Sequence, residues 1–108
     1  MYDAIEQIIH FTVMVVVVYD ISTESREGKR RLRKVSRCCR DWGIPVQASV
    51  CECEVNAEQY SQMRNKLETI IFPESDSIRF YLLGNHYQSR IETVGKRKDG
   101  WDRENFIL

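Results

Sequence analysis

Asp20 ends the most apolar stretch of the chain, the run Met14-Val15-Val16-Val17-Val18-Tyr19, and Ser22, Thr23 and Ser25 follow it closely. A carboxylate at the mouth of a strand, ahead of a hydroxyl-rich turn, suits a hard cation such as Mg²⁺ or Mn²⁺. It suits equally a cap for the turn or helix that follows. One carboxylate is a poor metal site, whereas two copies meeting across a dimer axis would supply two. Immediately downstream the charge becomes strongly positive: Arg26, Lys29, Arg30, Arg31, Arg33, Lys34, Arg37 and Arg40 are opposed only by Glu27. Arg26, Arg30, Arg33 and Arg37 recur three or four residues apart, so on a helix they share one face and can meet successive phosphates, and Lys29, Arg31 and Lys34 are expected to bind nucleic acid with them. A solvated helix face explains the same charges as well.

Other chemistries find little support. The four cysteines stand as Cys38-Cys39 and Cys51-Glu52-Cys53, neither being the spacing zinc prefers, and His10 and His86 are isolated. No phosphate-binding glycine loop or nucleophile elbow is present. The N-terminus has no basic region ahead of its apolar stretch, so buried, reduced thiols in a cytoplasmic protein are expected rather than a disulfide framework. Glu6, Gln7, His10 and Asp20 keep residues 5–18 from forming a membrane span, and no membrane partner is expected.

The elements that position these residues follow from periodicity. With 108 residues, 43% of them hydrophobic and 30% charged, the chain has room for one folded domain. The β-branched run at residues 14–21 reads as a central strand buried on both faces. Leu32, Val35, Cys39 and Trp42 give a helix over Arg26–Trp42, with Gly43 and Pro45 ending it. Apolar residues then change parity, from Ile44, Val46, Ala48 and Val50 to Cys51, Cys53 and Val55. That change predicts two short strands, 45–50 and 51–55, with a bend near Val50. Asn56 and Gln59 form a capping-box pattern for a second helix with the stripe Tyr60, Met63, Leu67 and Ile70. A strand through Ile78, Phe80 and Leu82 follows, then a shorter candidate strand at residues 90–94.

This β-α-β-β-α-β order predicts an α+β, ferredoxin-like fold with an antiparallel sheet and both helices on one face. Residues 1–13 read as an N-terminal extension, with Met14 as an alternative start; a leading strand or helix accounts for them equally. Residues 14–95 form the domain. Residues 96–108 form a basic loop and an apolar tail, Phe106-Ile107-Leu108, suited to exchange with a second subunit.

The strand ending in Asp20, the Arg30-Arg31-Leu32 helix, Val46-Gln47-Ala48-Ser49-Val50 with Glu52-Cys53, and Asp76-Ser77-Ile78-Arg79-Phe80-Tyr81 together resemble CRISPR-associated protein 2. The resemblance runs in order from Met14 to about Gly95. Leu83-Gly84-Asn85-His86-Tyr87 and Ile91-Glu92-Thr93-Val94-Gly95 resemble the subtype I-C branch. It implies a homodimer with exchanged C-terminal strands and a metal held by Asp20 of each subunit. It further implies RNA or DNA endonuclease activity and a bridge between integrase subunits (CRISPR-associated protein 1) in spacer acquisition. Ser49 is then expected to orient water or phosphate. Cys51 stands where the family usually has phenylalanine, and residues 1–13 have no family counterpart. The competing expectations are a non-catalytic scaffold that holds duplex DNA by its phosphates and a ferredoxin-like metabolite-binding regulator.

Overall fold

The computed structural model describes residues 11–96. Its elements are β1 (Val13–Asp20), α1 (Arg26–Trp42), β2 (Ile44–Gln47), β3 (Val50–Val55), α2 (Ala57–Ile70), β4 (Ser77–Gly84) and a 3₁₀ turn at Tyr87–Arg90. The four strands form one sheet in the order β2-β3-β1-β4, every neighbouring pair antiparallel. This is the expected ferredoxin-like arrangement. None of the helices among the described residues is long and apolar enough to cross a membrane.

The pleat of β1 decides what lies on each side. Val15, Val17 and Tyr19 point to the helices and are buried with Cys51, Cys53 and Val55 of β3, Val35, Cys38 and Cys39 of α1, and Met63 and Leu67 of α2. Val16, Val18 and Asp20 point to the opposite face, where the two valines are only half-buried and Asp20 is exposed. Met14, on the same face, is buried, so the expected burial of β1 on both faces is met in full on one face and in part on the other. Opposite Val16 and Val18 stand Glu52 and Val50 on β3 and Tyr81 and Arg79 on β4.

Local chemistry sets the boundaries. Ser25 caps α1, its hydroxyl accepting from the Gly28 amide at 3.0 Å. The capping box of α2 is complete: Asn56 Oδ1 accepts from Gln59 N at 2.8 Å, and Gln59 Oε1 accepts from Asn56 N at 2.9 Å. The parity change between β2 and β3 is accommodated one or two residues earlier than its pattern suggests, by a turn at Ala48–Ser49 where Ser49 has φ 64° and by a register shift between Pro45 and Gln47. All four cysteines are free and buried, and the Cys51 thiol donates to the Cys39 carbonyl at 3.2 Å. The contact with Cys39, reinforced by burial and partly offset by Cys53, pushes the Cys51 thiol up to about 12. The four cysteines are packing residues.

The strand expected at residues 90–94 is absent. The chain makes its 3₁₀ turn and continues without regular structure, with Val94 fully exposed. A strand needs a neighbour to complete its ladder, and no described segment of the same chain runs beside these residues. Residues 1–10 of the N-terminal extension lie outside the described residues, as do Arg97, Lys98 and the tip Phe106-Ile107-Leu108.

Gly28 shows how tightly the β1–α1 loop is seated. A Cβ at this position would meet the Ser22 carbonyl oxygen at 2.0 Å. Gly28→Ala gains about 1 kcal/mol of helix propensity, yet it should destabilise the protein by about 1–3 kcal/mol because backbone must move to relieve the clash. A urea melt of the variant measures the balance.

Candidate active site and nucleic-acid interface

Asp20 lies at the end of β1, with Ser77 of β4 as its partner in the ladder. Its position depends on a second acid one residue before Ser77. Asp76 is buried, and its side chain has no accessible surface. Oδ1 accepts from Ser22 N at 3.0 Å and from Ser75 Oγ at 3.1 Å. Oδ2 accepts from Phe72 N at 2.9 Å and from Arg31 Nε at 2.7 Å, while Arg31 Nη2 reaches Oδ1 at 3.5 Å. One carboxylate thus joins the loop after β1, the body of α1 and the turn ahead of β4. Burial pushes the Asp76 carboxyl up, but the hydrogen bonds from Arg31, Phe72, Ser22 and Ser75 outweigh it and hold the group at about 2.

The fixed loop presents Asp20 to solvent on the helix-free face. Its carboxylate is the wrong group to form a metal centre alone. No cluster of three His, Cys, Asp or Glu able to hold a cation occurs among the described residues. The donors at this end of the sheet (Asp20, with Ser22 and Ser77 nearby) are hard oxygen ligands, matching Mg²⁺ or Mn²⁺ in kind but not in number.

The basic residues of α1 face elsewhere. At about 100° per residue, Arg26, Arg30, Arg33 and Arg37 fall within an arc of roughly 60°, on the side of the helix opposite its buried Gly28, Val35, Cys38 and Cys39. All four are exposed, as are Lys29 and Lys34. From Arg26 to Arg37 the stripe is roughly 16 Å long, enough to follow several phosphates. Arg31 does not join it. Its place on the helix borders the core, its guanidinium is spent on Asp76, and it lies 5.7 Å from the Phe72 ring centroid.

Ser49 is near Asp20 along the sheet but serves the other side. Its carbonyl accepts from Tyr19 N at 3.0 Å, and the residue lines a cleft against α1 with Arg33, Ser36, Arg37 and Arg40. The structure therefore brings Asp20 and Ser49 to one end of β1 and parts their surroundings, Ser49 going with the arginines. The role of Asp76 is not assigned by the sequence patterns. Its signal is an acid flanked by Ser75 and Ser77 just after Pro73, the composition of a turn that a carboxylate closes on backbone amides.

Comparison with known proteins matches residues 13–91 to the family described as CRISPR associated protein Cas2. A relative from Chlorobaculum tepidum named CRISPR-associated endoribonuclease Cas2 is 42% identical over 86 residues, covering 80% of this chain and 90% of the relative. One from Halalkalibacterium halodurans, named CRISPR-associated endonuclease Cas2, is 40% identical over 85 residues, covering 79% and 88%. The crystal structure of Streptococcus pyogenes Cas2 at pH 6.5 superposes with a TM-score of 0.67 at 48% identity, covering 76% of this chain and 99% of that one.

Asp76→Asn keeps the shape but removes the charge that Arg31 answers, and should cost about 2 kcal/mol at neutral pH. The sign with pH follows from the lowered group. The Asp76 contribution is complete above the ordinary value of 3.8 and is lost as pH falls through about 2. Urea melts of parent and variant should therefore differ at neutral pH and converge in strong acid.

Proposed function

The chain belongs to the CRISPR-associated Cas2 family, and from that premise we propose that it is a subtype I-C member acting on nucleic acid as a metal-dependent endonuclease. It works as a homodimer in the cytoplasm and bridges integrase subunits (CRISPR-associated protein 1) during spacer acquisition. The observation that carries this reading is Asp20: an exposed carboxylate, seated by the Asp76 clamp, on a sheet face whose valines are only half-buried. A second copy laid on that face would bury Val16, Val18 and Tyr81 and bring a second Asp20 to the first. Together the two carboxylates would hold one Mg²⁺ or Mn²⁺. When bound, the cation supplies Lewis acidity and lowers the pKa of its water.

The chain's own residues do the rest. Arg26, Lys29, Arg30, Arg33, Lys34 and Arg37 attract and align the phosphodiester backbone, giving affinity without sequence readout. Ser49, standing beside the arginines, contacts phosphate. Arg31 acts indirectly, by holding Asp76. Among the described residues, the outer edge of β4 and residues 90–94 have no ladder partner, which supports C-terminal strand exchange with the other subunit's copy.

A second reading is a non-catalytic scaffold for duplex DNA, favoured by the arginine stripe pointing away from Asp20. Two variants divide the readings. Asp20→Ala, folded as the parent, should lose about 100-fold or more of Mg²⁺-dependent cleavage of RNA or DNA. Arg30→Glu/Arg33→Glu should weaken binding and lower the salt slope by about 2. Cleavage by Asp20→Ala at the parent rate contradicts the nuclease reading. Spacer acquisition retained by Asp20→Ala and lost by the arginine variant establishes the scaffold.

A further inference from the structure

The cleft between α1 and the β2–β3 turn is more than an arm of the basic stripe. Leu32, Arg33, Ser36, Arg37 and Arg40 reach it from one flank of α1, and Ala48 and Ser49 close it from the turn. Tyr19, buried at 6% exposure, forms its floor. Three properties meet here. Arg33 and Arg37 are a helical turn apart, exposed, and outside the two ion pairs seen among the described residues. Arg40 completes a row of cations, although it also borders the neighbouring hollow with Asp41 and Glu52. Tyr19, Leu32 and Ala48 supply an apolar surface that phosphate contact alone does not require. Ser36 and Ser49 add hydroxyls at the rim.

The rim is held in a costly shape. Ser49 has φ 64°, a region non-glycine residues seldom enter, and the bond from Tyr19 N to its carbonyl ties it there. The cleft volume of about 490 Å³ lies in the range of roughly 300–1,000 Å³ common to small-molecule sites.

We propose that this cleft binds a nucleoside phosphomonoester, its dianionic phosphate on Arg33 and Arg37 and the flat face of its base against Tyr19, Leu32 and Ala48. A monoester carries more charge and more free oxygens than a backbone diester, so it makes fuller use of paired guanidinium groups. The ligand is either a free mononucleotide or the 5′-phosphorylated end of a strand. The inference stands on the cleft itself and does not need Asp20 to cut.

Calorimetric titration of the full chain tests it, with AMP, adenosine and inorganic phosphate as probes. A second arm uses a short single-stranded oligonucleotide with and without a 5′-phosphate. AMP should bind saturably, one per chain, and more tightly than adenosine or phosphate. Arg37→Ala should weaken it about tenfold. Ala48→Glu, at an exposed position, should abolish it with the melting temperature kept. Arg64→Ala removes an equal charge from α2, away from the cleft, and should change nothing. Binding of AMP identifies a free nucleotide as sufficient. Preference only for the phosphorylated oligonucleotide identifies a strand end. The proposal is overturned if neither shows saturable, phosphate-dependent binding, if inorganic phosphate binds as well as AMP, or if Arg64→Ala weakens binding as much as Arg37→Ala.

Discussion

The Asp76 carboxylate gathers hydrogen bonds from a loop 54 positions away in sequence, a helix residue 45 positions away and a backbone amide four positions away. Each donor answers a need of its own. The Ser22 and Phe72 amides lie where the chain leaves or approaches a strand and have no ladder to satisfy them. Arg31 carries a charge at the margin of the core, and a buried charge is tolerable only with a partner. A single ionised group meets all three needs. The same group fixes the direction in which the chain leaves β1, and so the presentation of Asp20.

From that anchor the molecule divides into two working sides. The helix-free side carries Asp20 beside the half-buried Val16 and Val18, with Glu52 and Arg79 opposite them. The helix side carries the arginine stripe and, flanking it, the cleft roofed by Ser49. Because β1 alternates its residues between the faces, Tyr19 and Asp20 are neighbours in sequence that serve opposite sides: one is the floor of the cleft, the other the exposed carboxylate. Substitutions on one side can therefore leave the geometry of the other intact.

Much of this was legible from residue pattern. The β-branched run, the Asn56 and Gln59 box and the two helix stripes each rest on local interactions, and local interactions are written in adjacent residues. The limits were equally physical. Whether β1 is fully covered on its second face, and whether residues 90–94 form a strand, depends on contacts that the pattern of adjacent residues does not carry. Arg31 looked like its neighbours in a basic run; only its angular position on α1, together with an acid 45 residues later, sets it apart. The cleft needed Ser36 and Arg40 to be seen as the same flank as Arg33, and it needed the β2–β3 turn to fold over them.

The central claim is that Asp76 organises the loop bearing Asp20 while the sheet stands without it. Residue-resolved amide hydrogen exchange on parent and Asp76→Asn tests this directly. The account predicts that the Ser22 and Phe72 amides, protected in the parent, become exchangeable in the variant while Val15 and Val17 in β1 stay protected. Unchanged protection at Ser22 and Phe72 would contradict it.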